Sequence, residues 1–209
     1  MKKAILLAII STMAITLTGC AASRSTTRDA GVVINGVRWA TRNVDIPGTF
    51  VRNPHDVGMF YQWNSAKAWN ATTEHVANWG TPDTQSWGWD SANDPCPRGW
   101  RLPTLTELQI LFNAGYVVAT QNGVNGALFG RAPNQIFLPA GGWRYRTDGS
   151  LRSSNLGGAY WSATGAPAGT QASLGEDGWG VWFTTDRNHN RGVNTFWRGS
   201  GRLIRCVAE

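Results

Sequence analysis

The sequence predicts an α+β domain of short, mostly antiparallel strands with one or two helices, and three observations carry that prediction. One segment has a convincing helical stripe, many short apolar runs lie between turn residues, and two turn dipeptides sit where hairpins need them. The helix is placed by Thr104-Leu105-Thr106-Glu107, which has the spacing of a capping box, with Pro103 just before it. Leu105, Leu108, Leu111 and Phe112 then fall on one stripe, and Gly115 is a natural stop. A second, shorter helix is expected around Ser65 to Trp69. Strands are expected at Val32 to Ile34, Val37 to Ala40, Met59 to Trp63, Ile136 to Leu138, Gly158 to Ser162, Val181 to Thr184 and Leu203 to Val207. Asn35-Gly36 joins the first two as a hairpin turn, and Asp148-Gly149 should turn the chain between Trp143-Arg-Tyr-Arg146 and Ser150-Leu-Arg152.

The N-terminus reads as an export signal. Lys2 and Lys3 precede an apolar run from Ala4 to Thr16, and thirteen residues make about 20 Å of helix, short for a membrane span. Leu17-Thr18-Gly19-Cys20 resembles the bacterial lipobox, with Leu three positions before the cysteine and a small residue directly before it. That resemblance implies cleavage after residue 19, diacylglyceryl transfer to Cys20 and acylation of the new amino terminus. The alternative is a chance cysteine behind an ordinary signal. The lipid chains would anchor the protein to a membrane. Residues 20–31 are small and polar and read as a tether, leaving 32–209 as one domain of even composition. Ala21 and Ala22 carry no aspartate-type inner-membrane retention signal, which favours the outer membrane; no acidic surface-export run follows, and the facing side stays open.

Cys96 and Cys206 are left over, and in an oxidising compartment they are expected to pair, closing a loop of roughly 110 residues. Two free buried cysteines are the alternative. Removal of Lys2 and Lys3 lowers the formal charge from +6 to +4, with Lys67 the single remaining lysine beside sixteen arginines. There is no lysine run and no basic helical stripe, so no nucleic-acid partner is expected.

Several stretches together resemble one family. They are Asn35-Gly-Val-Arg-Trp-Ala-Thr-Arg-Asn-Val44, Gly58-Met-Phe-Tyr-Gln-Trp63, and Asn93-Asp-Pro-Cys-Pro-Arg-Gly-Trp-Arg-Leu-Pro-Thr104 with Glu107-Leu108. Asn122-Gly-Val-Asn-Gly126, Ile136-Phe-Leu-Pro-Ala140, Tyr160-Trp-Ser162 and Ile204-Arg-Cys-Val207 follow. In this order they look like the Fibrobacter succinogenes major paralogous (FISUMP) domain, over residues 32–209. The resemblance implies a C-type-lectin-like fold in an exported, often lipid-anchored protein, and says little of activity. Arg42 stands where relatives often carry cysteine, so no second disulfide is expected.

Catalytic constellations are missing from the sequence. His55, His75 and His189 are isolated and lack metal-ligand spacing, and no Gly-x-Ser-x-Gly elbow occurs. Gly199-Ser-Gly201 lacks the lysine of a phosphate loop. Glu176-Asp177 could act on a glycoside only with a distant partner. The protein is therefore expected not to be an enzyme, with no cofactor. The calcium-lectin signatures are absent and the acidic residues are scattered, so no metal is predicted; Asp83, Asp90 and Asp94 do cluster in one loop-like stretch with Trp87 and Trp89, where a structural cation stays open.

The chain has twelve tryptophans. Trp39, Trp63, Trp100 and Trp161 lie in strand-like contexts and are assigned to packing. From Glu176 to Gly201 the pattern differs: Trp179, Trp182 and Trp197 are interleaved with Arg187, Asn188, His189, Asn190, Arg191, Asn194 and Arg198. Flat aromatic faces stack on sugar rings, while amides and guanidinium groups bind hydroxyls or anionic substituents. The loops before the final strand usually form the ligand face in lectin-like folds. Trp179, Trp182, Arg187, Asn188, Asn190, Arg191 and Trp197 are thus the candidate ligand-binding residues, for a glycan or a surface protein. The alternative is a glycine-rich loop held by its own tryptophans. Two other functions stay open, a structural or adhesin-assembly subunit of the envelope and a divergent enzyme.

Overall fold

A computed structural model of the chain describes residues 29–80, 86–166, 177–186 and 192–209. The signal segment, Cys20 and most of the tether lie outside the described residues. The elements run β1 (Val32–Ile34), β2 (Val37–Trp39), β3 (Phe60–Tyr61), β4 (Ala68–Trp69), a 3-10 turn (Ser91–Asn93) and β5 (Trp100–Arg101). Then come α1 (Leu105–Asn113), β6 (Tyr116–Gln121), β7 (Val124–Arg131), β8 (Asn134–Pro139), β9 (Trp143–Arg144) and β10 (Leu151–Arg152). The chain closes with β11 (Gly157–Gly165), β12 (Asp177–Thr184), β13 (Gly192–Trp197) and β14 (Val207–Ala208). Every pairing between these strands is antiparallel. With one α-helix among the described residues, the α+β class holds. No helix among them is long and apolar enough to cross a membrane.

The helix starts as its sequence requires. Thr104 caps it by accepting the Glu107 N–H at 3.2 Å, and the Glu107 carboxylate accepts the Thr104 N–H at 2.7 Å. Burial alone would raise the Glu107 carboxyl, but a two-pronged pair with Arg101 (2.9 and 2.8 Å) and the cap bonds outweigh it and hold it below the usual range. Gly115 ends the helix with φ of +82°.

The expected helix at Ser65 to Trp69 does not form. Asn64 takes φ of +51°, the chain reverses, and Ala68–Trp69 returns beside Phe60–Tyr61 as a strand. Five residues are too few to sustain a helix without tertiary support, and the extended form lets Trp69 stack on Trp79 with ring centroids 4.7 Å apart. The last expected strand is also shorter. Arg202 and Leu203 make isolated bridges to Tyr61 and Tyr160, and only Val207–Ala208 forms a ladder.

β14 sits between β2 and β5, so the first and last strands of the domain share one sheet, β1-β2-β14-β5. Cys96 and Cys206 are bonded there, Cα atoms 6.1 Å apart, so the pairing read from the sequence stands. β6-β7-β8 is a meander whose first turn is Asn122-Gly123, and β11-β12-β13 is a second one. Along β11 the side chains alternate between two cores. Tyr160 joins Trp39, Phe60, Leu108, Leu111, Phe129 and Phe183 on one side, whereas Trp161 joins Tyr61, Trp63, Leu102 and Ile204 on the other. This sheet is the wall between the cores, which is why its residues are glycine-rich and closely approached. A Cβ on Gly178 would lie 2.2 Å from Trp63 Cε3.

Two buried arginines need no carboxylate. Arg205 donates from Nε to Asn43 Oδ1 (2.9 Å), from Nη1 to the Ala40 carbonyl (3.0 Å) and from Nη2 to the Phe137 carbonyl (2.9 Å). Arg144 fastens the 70–74 turn, donating to the Asn70, Glu74 and Thr73 carbonyls, and to that of Gly149 at 2.6 Å. Backbone carbonyls solvate these charges where water cannot.

Candidate functional site

The tract expected to be a recognition loop is mostly a β-hairpin. β12 pairs with β13 from Asp177↔Trp197 to Trp182↔Gly192, and β11 lies on the other side of β12. Strand geometry then separates the candidate tryptophans. Trp179 and Trp182 are three residues apart on one strand, so they leave opposite faces of the sheet.

Trp182 is packing. Its ring meets Trp143 edge-on with centroids 5.0 Å apart, and a Cβ on Gly157 would come within 2.7 Å of it. Trp179 is half-buried, and its carbonyl accepts the Ser162 hydroxyl at 2.8 Å. Trp197 is different: it lies opposite Asp177 at the C-terminal end of β13 and is 41% exposed. Arg187, Asn188, Asn190 and Arg191, with His189, lie outside the described residues. Five residues at about 3.4 Å each put Gly192 roughly 17 Å from Trp197. Trp179 and Trp182 thus do not share a face, and the other expected residues apart from Trp197 lie outside the described ones.

What the fold does assemble around Trp197 comes from segments the sequence reading passed over. The Arg146 guanidinium lies 4.2 Å from the centre of the Trp197 ring. Arg146 is delivered by the hairpin that turns at Asp148-Gly149, and its backbone carbonyl accepts the Trp79 indole N–H at 3.0 Å. Gly199 packs beside the Arg146 stem, where even a Cβ would sit 3.5 Å from that of Arg146. Gln62 donates from Nε2 to the carbonyls of both Gly80 and Gly199, at 2.6 and 2.9 Å, and so fixes the turn that follows Trp197. Arg146 Nε is buried and has no hydrogen-bond partner among the described residues. The result is a 41% exposed tryptophan with a guanidinium lying over its ring, next to a turn held by Gln62.

Arginine and aromatic rings alternate beneath it. Arg198 donates from Nε to the Asp177 carbonyl at 2.9 Å and stands 5.3 Å from the Trp63 ring centre. Trp63 meets Trp161 edge-on at 5.3 Å, and Arg202 lies 5.0 Å from the Trp161 ring and 3.5 Å from that of Phe196. Burial pushes the Arg202 guanidinium down to about 9 and also lowers Arg198, against the opposing pull of Asp177. This end of the sheet thus carries Arg146 at the ring and the buried Arg198 and Arg202 beneath it, with the buried Asp177 among them. Trp87 is 73% exposed at the same end, since Gly88 bridges Thr164 and the next residue, Gly165, pairs with Gly178. A pattern of Trp and Arg in the hairpin arm Trp143-Arg-Tyr-Arg146 was the available signal for Arg146. Nothing local pointed to Trp87.

The other candidates resolve as structure. Trp39, Trp63 and Trp161 are fully buried, and Trp100 packs on Phe50 at 5.6 Å, in line with the packing roles read from the sequence. Asp94 accepts the N–H groups of Cys96 and Leu102, with burial raising its carboxyl; Asp90 caps the 3-10 turn at Ala92. Asp83 lies outside the described residues. Arg42 pairs with Asp29 at 3.2 Å, tying the start of the domain to Thr41 and Arg42. His55 lies 3.7 Å from Asp56 and 3.1 Å from Asn122, at the surface, and His75 is exposed beside Glu74. Among the described residues no group of three or more His, Cys, Asp or Glu side chains is placed to hold a metal. The chain matches no family model, no curated protein and no solved structure.

Proposed function

We propose that this chain is a lipid-anchored protein of the bacterial envelope whose FISUMP-like, C-type-lectin-like domain binds a glycan without catalysis. The observation that carries the reading is the 41% exposed Trp197 ring with the Arg146 guanidinium over it, before a turn that Gln62 holds through the Gly199 carbonyl. An aromatic plane takes the apolar face of a sugar ring, and a guanidinium beside it binds a hydroxyl or carboxylate in its plane. The Arg146 guanidinium at the ring favours an anionic glycan over a neutral one. The lectin-like reading draws support from a helix-poor fold closed by a staple between Cys96 and the final strand. The lipobox-like segment ending at Cys20 supports an outer-membrane anchor.

The test is a glycan array probed with residues 24–209, with and without chelator. The expected result is selective binding that survives chelator and falls at least tenfold in Trp197→Ala and Arg146→Gln, but not in His75→Ala. Folded, disulfide-bonded protein that binds no glycan would overturn the reading and favour a structural subunit of the envelope. Palmitate labelling of the full chain, lost in Cys20→Ala, tests the anchor separately.

A further inference from the structure

We propose that β6 is a self-pairing edge, through which two copies of this chain join their β6-β7-β8 sheets into one six-stranded sheet about a two-fold axis at Val118.

β6 ends its sheet: the order is β6-β7-β8, and among the described residues β7 is its only strand partner. Natural edges of this length are usually blunted by a lysine, a proline, a bulge or a covering element. β6 has none of the first three. Its register with β7 runs unbroken from Tyr116↔Phe129 to Gln121↔Val124. From Leu108 to Gly130 the chain holds no charged residue at all. Val117 is 65% exposed and Val118 45% exposed, and being neighbours they emerge on opposite faces, so at these two positions neither face of β6 is packed over.

The hydrogen-bond parity of the hairpin determines what this edge offers. Gly130 donates to the Gly115 carbonyl at 3.0 Å, so the odd-numbered residues of this arm bond inward to β7. The even-numbered residues, Val118 and Thr120, therefore turn their N–H and C=O groups outward. A continuing antiparallel sheet related by a two-fold axis needs residues of the same parity opposite each other. Centring on Val118 satisfies this: Val118 faces its own copy in a hydrogen-bonded pair, and Val117 meets Ala119 on the other face. Both are uncharged β-strand pairs with nothing to repel. A charged partner strand would find no countercharge on this edge, whereas a second copy, centred on Val118, sets uncharged residues against uncharged ones.

Two six-residue strands bury less than the roughly 1,200 Å² of a stable interface, so the dimer is weak and concentration-dependent. Its geometry leaves Trp197 clear, because Tyr116 packs near Phe183, toward the opposite end of β12. Self-pairing and the proposed glycan face are thus independent and fail independently.

The experiment is oxidative crosslinking of a Val118→Cys variant of residues 24–209, which hold every described strand and the helix, with Val33→Cys as a control of matched exposure. Directly opposed residues in a hydrogen-bonded pair have Cα atoms about 5.5 Å apart, within disulfide reach. A covalent dimer from Val118→Cys, several-fold above the control, is the expected result, together with a concentration-dependent dimer of the wild type in sedimentation. Val118→Lys should weaken that dimer roughly tenfold or more by placing like charges face to face. A wild type that stays monomeric at high concentration, equal crosslinking at Val33, or a Val118→Lys dimer as tight as the wild type would each overturn the proposal.

Discussion

Removing the staple by Cys96→Ala with Cys206→Ala should cost about 5 kcal/mol. The bond spans 110 residues, and the chain-entropy relation gives an unfolded-state restriction of about 16 cal/mol/K for that loop, or about 4.8 kcal/mol at 25 °C. The structure supports assigning the loss to the unfolded state, because the two sites are held together without the sulfurs. Ala208 and Val207 pair with Trp100 and Arg101, Asp94 accepts from both Cys96 and Leu102, and Ala40 donates to the Cys206 carbonyl at 2.9 Å. Against a total stability of about 5–15 kcal/mol the double variant should remain folded but marginal. Equilibrium urea unfolding at pH 7 is the assay. A lower midpoint should come with a steeper slope, since the unlinked chain exposes more surface when unfolded. A loss below about 1.5 kcal/mol with an unchanged slope would refute the entropic account. It would mean that the unfolded chain already keeps these ends close.

Two further perturbations test the local arguments. Glu107 has a depressed pKa in the fold, so its contribution is present above its ordinary value of 4.5 and is lost as pH falls through the lower folded value. Glu107→Gln keeps the cap but loses the Arg101 pair, which is partly open to solvent, so it should cost about 0.5–1.5 kcal/mol at pH 7 and nearly nothing at pH 3, measured by urea midpoints. Gly178→Ala drives a methyl into the buried Trp63 ring and should cost about 1–3 kcal/mol in thermal unfolding, whereas Gly80→Ala, which meets no atom within 4 Å, should stay within about 0.5 kcal/mol.

Most of the local architecture was legible. The capping box at Thr104, the Gly115 stop and the Asn35-Gly36 turn are interactions between residues within four positions of each other, so the sequence displays both partners. The Tyr116 to Arg131 hairpin was missed although Asn122-Gly123 marks its turn, because Tyr116–Gln121 does not alternate cleanly and Gly126 and Gly130 interrupt the second arm. Ser65 to Trp69 was misjudged because its conformation answers to Trp79 and Phe60, not to its own residues.

The sequence by itself determined the elements whose partners are near in the chain, and the disulfide, because residues 32–209 hold only two cysteines, Cys96 and Cys206. Only the tertiary structure decided the site. Trp179, Trp182 and Trp197 look like one patch in the chain, but a period of two sends the first two to opposite faces, and strand length carries the third to the end of β13. Trp197 takes its neighbour from Arg146, more than fifty positions earlier, since registers between distant strands depend on how two cores fill and no local pattern records that.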